Sequence, residues 1–354
     1  MDDRDRLLKR LREAGCSDAD LDRASAEGRL PTLAVEYALG SASMHTLTEA
    51  AQASKLDTGF LRELMQAMGR PNPAPRERVF SEDDIEVARV VRGFLDAGLG
   101  RAEMLEVGRV LSLGMTHTAE AVRRVMGDAL MRPGDSEFTV ALRYVETVDR
   151  LGPMAPSLLS SEFRAHLRDG IRSHLVTEAE REAGRLDGTR EVAVAFADLV
   201  DYTRLGESLA PEDVGQIAGR LAQMAAAAAR RPVTLVKTIG DAAMFVSPEV
   251  EPLIETLVTV ARDVEAGGDD FPSVRIGVAY GPATNRGGDW FGSTVNLASR
   301  LTATSKPGRI SATEEVQALA PRSGWKRTRR LRSLKGISDR QRLFSLAAPT
   351  SASD

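Results

Sequence analysis

Hydrophobic residues recur every three to four positions through the first part of the chain, which is the spacing of one face of a helix. One such stripe spans 85–95, and the Ser-x-x-Asp pattern at 81–84 has the form of a capping box. A helix is therefore predicted to begin near residue 82. Further helices are predicted between breaks that contain glycine or proline: 101–113, 116–130 and 136–151. Because no strand pattern occurs here, an all-helical domain over 1–160 is predicted.

The segment 153–160, which contains two prolines and two serines, interrupts this pattern and is predicted to be a domain boundary. After it, apolar residues recur every four positions from Phe163 to Leu175 among charged ones, which predicts an amphipathic connecting helix over 161–187. This helix would either couple the two parts of the chain or simply cap the second domain. The pattern alone leaves both interpretations open.

The pattern of hydrophobic residues changes at Glu191. Residues 192–197 form a continuous apolar run of strand length, and Pro211 begins an alanine-rich helix that extends to about Arg230. The remaining elements are a hairpin of 234–239 and 242–246, helical texture over 249–266, and a strand at 274–280. This β-α-β-β-α-β order predicts a ferredoxin-like α+β domain over 188–347, with an antiparallel sheet and its helices on one face. Residues 348–354 are predicted to be a disordered tail.

The composition narrows the class of protein. The chain has 354 residues, of which 42% are hydrophobic and 28% charged, as in a soluble two-domain globular protein. It contains no run of 18 apolar residues and no signal-peptide core, so a cytoplasmic location is expected, either free or peripheral to the membrane. One cysteine and four scattered histidines exclude a disulfide scaffold and a structural zinc site.

Charge is unevenly distributed. Residues 1–160 contain 21 basic and 26 acidic residues, a net charge of −5, and the remainder has a net charge of +1. Nine basic residues and a single acid, Asp339, lie between Arg322 and Arg342, which indicates either an anionic partner or a solvated basic face. The negative first domain argues against a helix-turn-helix DNA reader at 81–99, so no nucleic-acid partner is expected.

Two carboxylates stand where a packing role does not explain them. Asp198 ends the apolar strand, and Asp241 lies at the tip of the following hairpin. Strands of this unit are neighbours in the sheet, so both side chains are expected at one sheet end, where they would suit Mg²⁺. The simpler interpretation is that Asp241 is an ordinary residue of a Gly-Asp turn.

Three motifs follow one another along this domain. They are Phe-Ala-Asp-Leu-Val-Asp-Tyr-Thr at 196–203, Lys-Thr-Ile-Gly-Asp at 237–241, and Asp-Trp-Phe-Gly-Ser-Thr-Val-Asn-Leu-Ala-Ser-Arg at 289–300. Together they resemble the catalytic domain of class III nucleotidyl cyclases over about 188–347, and most closely the soluble adenylyl cyclases of actinobacteria. More weakly, the first domain resembles the helical regulatory domain attached to some of these enzymes.

The resemblance implies an adenylyl cyclase that converts ATP to 3′,5′-cyclic AMP and pyrophosphate. Asp198 and Asp241 would hold two divalent metals, Mg²⁺ or Mn²⁺. Lys237 would donate to N1 of adenine and Asp289 would accept from its N6 amino group, whereas guanine presents O6 and N1–H at these points. The implied role of Asn296 and Arg300, which are four residues apart, is to orient the ribose and stabilise charge on the phosphates. Lys335 would contact the β- and γ-phosphates, a role that its basic neighbours could also fill.

The resemblance also implies a homodimer, because in this family the metal aspartates belong to one catalytic domain and the other site residues to its partner. The helical domain would then control activity, with a proton or a lipid as input. Asp201 and Tyr202 depart from the family pattern at a turn whose backbone N–H groups face the phosphates, and the added carboxylate would repel the triphosphate or recruit metal. The alternative is a degenerate cyclase domain that binds nucleotide and acts only as a regulatory dimer.

Overall fold

The computed structural model describes residues 2–40, 44–173, 189–207, 209–268, 271–322, 324–327 and 342–347. The chain divides into two compact units, Met1–Ile171 and Arg172–Asp354. The predicted connecting helix over 161–187 falls within the described residues only as far as residue 173, and the predicted tail over 348–354 lies outside them. None of the described helices is both long and apolar enough to cross a membrane.

The first unit is helical, as predicted. Its described helices are α1 (Asp3–Glu13), α2 (Asp18–Ala26), α3 (Leu30–Leu39), α4 (Leu47–Ser54), α5 (Thr58–Ala67), α6 (Glu82–Asp96), α7 (Arg101–Leu130), α8 (Glu137–Leu151) and α9 (Ala155–Ser173). The capping box before α6 is present: the Ser81 hydroxyl accepts from the backbone N–H of Asp84, and the Asp84 carboxylate accepts from the backbone N–H of Ser81. The start predicted near residue 82 is therefore confirmed.

Two separate hydrophobic cores stabilise this unit. Helices α1, α2, α3 and α8 enclose one of them, which is centred on Leu7, Leu11 and Leu142. Helices α4 to α7 enclose the other, which is centred on Phe60 and Leu64. Helix α7 therefore begins at one core and leads, through α8, to the other.

The helix boundaries in this unit differ from the prediction at two places. Helices were predicted at 101–113 and 116–130, but α7 continues through Gly114, because one glycine costs a helix only about 1 kcal/mol relative to alanine. Helix α9 starts at Ala155, inside the segment with two prolines. Pro153 lies in a short 3₁₀ turn before it and Pro156 in its first turn, where the missing N–H groups have no helical partner to lose.

The second unit contains one sheet with β1 (Thr189–Leu199), β2 (Thr234–Ile239), β3 (Ala242–Ser247), β4 (Val274–Arg286), β5 (Asp289–Phe291), β6 (Arg309–Ala312), β7 (Lys326–Arg327) and β8 (Phe344–Ala347). Its helices are α10 (Tyr202–Leu205), α11 (Pro211–Ala228), α12 (Val250–Glu265), α13 (Ser293–Thr304) and α14 (Glu314–Leu319). The strand order is β2-β3-β1-β4-β6-β8-β7, and β5 pairs with β4. The predicted β-α-β-β-α-β order is confirmed as β1-α11-β2-β3-α12-β4.

Helices cover both faces of this sheet. Ala193, Ala195 and Ala197 of β1 pack in the core with α11 and α12. The alternate residues Val192 and Val194 pack in a second core with α13. The expectation that the helices lie on one face therefore holds for α11 and α12, the two helices of the predicted β-α-β-β-α-β unit, whereas α13, which follows that unit, covers the other face. Because β1 is buried on both faces, its sequence is continuously apolar rather than alternating.

Helix α13 approaches β4 closely at Gly277. A Cβ atom at this position would lie 2.6 Å from the carbonyl oxygen of Ala298 and would also overlap the backbone nitrogen of Thr302. The Thr302 hydroxyl donates to the carbonyl of Phe196 in β1 at 3.2 Å, which ties the helix to a second strand. Only glycine permits this spacing, because the obstructing atoms are backbone and cannot rotate away.

We expect Gly277→Ala to destabilise the second unit by about 1–3 kcal/mol, since overpacking against backbone forces the helix from the sheet. The matched control is Gly215→Ala in α11, where a Cβ meets no heavy atom within 4 Å and should stabilise the helix by about 0.5–1 kcal/mol. Urea unfolding monitored by tryptophan fluorescence isolates this unit, because both tryptophans, Trp290 and Trp325, belong to it. Equal stabilities of the two variants would contradict the prediction.

Candidate active site

The two predicted metal carboxylates lie at the same end of neighbouring strands. Asp198 is opposite Ala242 in the β1–β3 pairing, directly after the hairpin turn that contains Asp241. The backbone N–H of Leu199 donates to the carbonyl of Asp241 at 3.1 Å. Gly240, with φ of 57°, makes the tight turn that brings Asp241 to this position. The sheet register therefore places both residues at the same end of the two strands.

A cation that the sequence analysis missed lies beside this pair. Arg275 of β4 is directly opposite Asp198 in the β1–β4 pairing. Its Nε and Nη2 atoms are 2.7 and 2.5 Å from Oδ2 of Asp198. Opposite charges at directly paired positions stabilise a sheet and orient each other. The available signal was a single charged residue inside an otherwise apolar strand at 274–280.

The environment of Asp241 opposes its ionisation. Burial raises the pKa of this carboxyl, and the nearby charge of Asp198 raises it further, whereas Arg275 acts in the opposite direction. The pair thus concentrates negative charge that one guanidinium only partly compensates. A divalent cation with oxygen ligands would relieve this charge, so the two residues fit the predicted metal. Their assignment as metal ligands stays a prediction.

The predicted base-reading pair is in contact. The Lys237 ammonium donates to Oδ2 of Asp289, and the second oxygen of that carboxylate accepts from the backbone N–H of Trp290 at 2.9 Å. A β-bulge between Leu235 and Lys237 places Lys237 opposite Met244, on the face of the sheet that α13 covers. Without the bulge, strict alternation would put Lys237 on the opposite face.

Asn296 and Arg300 share the exposed side of α13, as their spacing of four residues predicts. The opposite side of this helix is buried through Thr294, Ala298 and Leu301. Gly292 precedes the helix and has a φ of 134°. A Cβ atom added at this residue would lie 3.4 Å from the carbonyl oxygen of Pro282. The hydroxyl of Thr294 donates to the same carbonyl at 2.8 Å, which fixes the start of the helix.

Asp201 and Tyr202 occupy the turn after β1. Asp201 has a left-handed backbone with φ of 59°, and it is exposed. The Tyr202 hydroxyl donates to the carbonyl of Val214 in α11 at 2.9 Å, and its ring packs against the core. Tyr202 therefore anchors the turn to the helix layer. The effect of the Asp201 charge on catalysis stays a prediction.

The structure brings the predicted residues together in three groups. Asp198 and Asp241 form the carboxylate pair, Lys237 and Asp289 form an ion pair, and Asn296 with Arg300 forms a polar face of α13. Cross-strand register places Asp198, Arg275 and Lys237 on the sheet face that α13 covers. Lys335 lies outside the described residues.

Family models match both parts of the chain. Residues 1–171 match the model described as adenylate cyclase regulatory domain. Residues 186–347 match the model described as adenylate and guanylate cyclase catalytic domain. Together, these matches extend over both compact units.

The chain is also similar to individual known proteins. The pH-sensitive adenylate cyclase of Mycobacterium tuberculosis is 38% identical over 264 residues, which cover 74% of this chain and 66% of that protein. An uncharacterized protein of the same species is 30% identical over 327 residues, covering 89% and 83%. The guanylate cyclase domain of a Catenaria anguillulae protein, solved with GTP, is 25% identical with a TM-score of 0.39, and covers 45% of this chain and 96% of that one.

The raised pKa of Asp241 predicts a pH-dependent effect of Asp241→Asn. A carboxyl whose pKa is raised on folding favours the folded state when protonated and loses that contribution as pH rises through the folded pKa. Without divalent cations, the neutral variant should therefore have a higher free energy of unfolding than the parent at pH 7. Urea unfolding should show this difference narrowing as pH falls towards the ordinary value of 3.8. A less stable variant at pH 7 would contradict the assigned environment.

Proposed function

The chain belongs to the class III adenylate and guanylate cyclases, and on that premise we propose that it converts ATP to 3′,5′-cyclic AMP and pyrophosphate. The observation that carries the proposal is the contact between Lys237 and Asp289, because it places a donor beside an acceptor on the same sheet face as Asp198. The relative from M. tuberculosis, 38% identical, is named an adenylate cyclase.

The donor and acceptor in this pair match adenine. The Lys237 ammonium would donate to the unprotonated N1, and the Asp289 carboxylate would accept from the N6 amino group. Guanine would set its N1–H against the ammonium and its O6 against the carboxylate. Polar groups left unpaired in the site weaken binding, so this mismatch would select ATP over GTP. The Trp290 N–H holds one Asp289 oxygen, so the carboxylate is already oriented for this role.

Asp198 and Asp241 would hold two divalent cations, Mg²⁺ or Mn²⁺. When bound, such ions supply activation of the ribose 3′-hydroxyl and neutralisation of charge on the phosphates. Arg275 holds the Asp198 carboxylate in place through two N–H groups. No separate protein base is needed in this scheme.

Asn296 and Arg300 would orient the ribose and stabilise charge that develops on the phosphates. Both side chains are exposed on α13 and therefore free to approach a nucleotide that lies outside this subunit. Lys335 would contact the β- and γ-phosphates. These three roles follow from the family motifs rather than from a bound ligand.

The site would be shared between two copies of the chain, with Asp198 and Asp241 from one copy and the remaining groups from the other. Ile239 and Phe291 support this arrangement, because they are 57% and 53% exposed and adjoin the two halves of the site. Ile239 lies two residues before Asp241, and Phe291 lies two residues after Asp289. Apolar side chains this exposed beside a polar site are typical of an interface.

The direct test is the incubation of purified protein with ATP and Mg²⁺ or Mn²⁺ and measurement of cyclic AMP. Asp198→Asn and Asp241→Asn should each lower activity by about 10²-fold or more, the usual loss when a group that stabilises transition-state charge is removed. Glu265→Gln, a neutralised exposed carboxylate on α12, is the control and should remain active. Near-normal product from either aspartate variant would contradict the metal assignment. If the parent binds ATP but forms no product, the alternative of a nucleotide-binding regulatory dimer is supported instead. The observation that favours this alternative is the added carboxylate of Asp201 in the turn after β1.

The shared site predicts complementation between inactive chains. Asp241→Ala and Arg300→Ala should each be inactive alone, yet their mixture should regain activity because one of the two hybrid sites contains neither substitution. About a quarter of the parent activity is expected for random exchange of equal amounts, since half of the dimers are hybrids and each has one intact site. No recovery after verified subunit exchange would contradict a site built from two copies.

The helical unit would control the catalytic one by changing how two catalytic units meet, with a proton or a lipid as input. A displacement of about 1 Å in a shared site can change the rate by about 10²-fold, so such control needs little movement. The comparison is between the full chain and residues 188–354, at matched dimer occupancy, from about pH 5.5 to 8, where histidines titrate. Identical specific activities and identical pH profiles would contradict this role.

A further inference from the structure

The turn that follows β1 is held on both sides of Asp201. Before this residue, the Val200 N–H donates to the carbonyl of Ser273 at 2.8 Å. After it, the Tyr202 hydroxyl donates to the carbonyl of Val214 at 2.9 Å, and the Tyr202 ring packs against the core. Because both neighbours are anchored, the backbone of Asp201 has little freedom to change its conformation.

This conformation is unfavourable for most residues. Asp201 has a φ of 59°, in the left-handed region that glycine adopts readily and that a Cβ atom disfavours. Among the described residues, Lys55 is the other non-glycine residue with a positive φ, and it ends α4, where a left-handed residue commonly terminates a helix. Asp201 instead follows a strand, beside the proposed metal carboxylates. Strained backbone occurs mainly at functional sites, which indicates that the Asp201 side chain has a function.

The Asp201 carboxylate is exposed and uncompensated. Within the part of the chain that the structure describes, no cation forms an ion pair with it, and the nearest cation along the chain, Arg204, is also exposed. Three peptide units separate Asp201 from Asp198, so their Cα atoms are at most about 11 Å apart. This distance is close to the Debye length of about 10 Å at 0.1 M ionic strength. The charge of Asp201 therefore acts on any ligand bound at the ends of these strands.

We propose that Asp201 makes the site select metal-bound nucleotide over metal-free nucleotide. This inference deepens the proposed function and rests on its nucleotide and metal site. Metal-free ATP⁴⁻ brings its negative charge to a strand end that already contains the carboxylates of Asp198, Asp201 and Asp241. A nucleotide accompanied by two divalent cations brings no net charge. Asp201 therefore repels the first ligand strongly and the second hardly at all.

Coulomb's law gives the size of the effect. Across about 10 Å of water, the single charge of Asp201 weakens the binding of ATP⁴⁻ by about ten-fold at low salt. Metal-free ATP that occupied the site would block it without reacting, because it lacks the cations that activate the 3′-hydroxyl. In an active cyclase the added carboxylate thus limits unproductive binding, at the cost of a strained turn.

Equilibrium binding of 2′,3′-dideoxy-ATP to the full chain tests this selection, because the analogue has no 3′-hydroxyl and cannot cyclise. Its dissociation constant is measured by titration calorimetry, once in EDTA and once in excess Mg²⁺. Asp201→Asn removes the charge but tolerates the left-handed backbone. This variant should bind the analogue about ten-fold tighter than the parent in EDTA and less than about three-fold tighter in Mg²⁺. The gain in EDTA should nearly vanish in about 1 M potassium chloride, where the Debye length is about 3 Å.

Two further variants separate charge from other effects. Glu191→Gln removes an exposed carboxylate from the same strand, seven residues and about 23 Å before Asp198, and should bind the analogue as the parent does. Asp201→Gly removes the charge and the backbone strain together, so it should repeat the selectivity change of Asp201→Asn. Circular dichroism of all three variants confirms that each is folded.

The outcomes distinguish this inference from the proposed function. The selection is overturned if Asp201→Asn binds no tighter than the parent in EDTA, gains equally in Mg²⁺, or keeps its gain at high salt. It is also overturned if Asp201→Gly alone changes binding. A parent that forms cyclic AMP alongside any of these results leaves the proposed function standing. The expected binding pattern from a parent that forms no cyclic AMP contradicts the catalytic proposal alone, and a parent that does not bind the analogue even with Mg²⁺ contradicts both.

Discussion

The close approach of α13 to β4 at Gly277 determines the arrangement of the second unit. Backbone atoms of Ala298 and Thr302 occupy the space that any other side chain at 277 would need. This contact fixes the rotation of α13, so Thr294, Ala298 and Leu301 face the sheet. Asn296 and Arg300 consequently face outward. A packing constraint between backbone segments thus orients the side chains to which we assign ribose and phosphate contacts.

Whereas close packing fixes α13, the charges of the carboxylate pair lower the stability of the folded state. Burial and the neighbouring Asp198 both disfavour the charge on Asp241, and Arg275 compensates only in part. Neutral residues at this sheet edge would pack without such repulsion. Uncompensated negative charge at one end of the strands is typical of sites that bind a cation, since the bound cation neutralises that charge. The unfavourable electrostatics therefore support, rather than oppose, a functional role.

Local sequence rules predicted much of this arrangement. Strand order and the Gly-Asp turn were sufficient to predict that Asp198 and Asp241 are neighbours, and helical periodicity placed Asn296 beside Arg300. The contact between Lys237 and Asp289 depends on a β-bulge, which reverses the side of the strand and leaves no mark in the residue pattern. Arg275 acquires its partner from strand register, a non-local property. The position of α13 on the second face follows from Gly277, whose role emerges only when the helix is in place.

Both units have surfaces that one copy of the chain leaves incomplete. In the catalytic unit, Ile239 and Phe291 remain exposed beside the site. In the helical unit, apolar side chains along the middle of α7, among them Val110, Leu111 and Val122, remain exposed. If one dimer satisfies both surfaces, its two-fold symmetry acts on both at once. A ligand that changed how two helical units meet would then favour one arrangement of the dimer over another. Because shared catalytic sites respond to displacements of about 1 Å, a small change where two helical units meet would be enough to regulate activity.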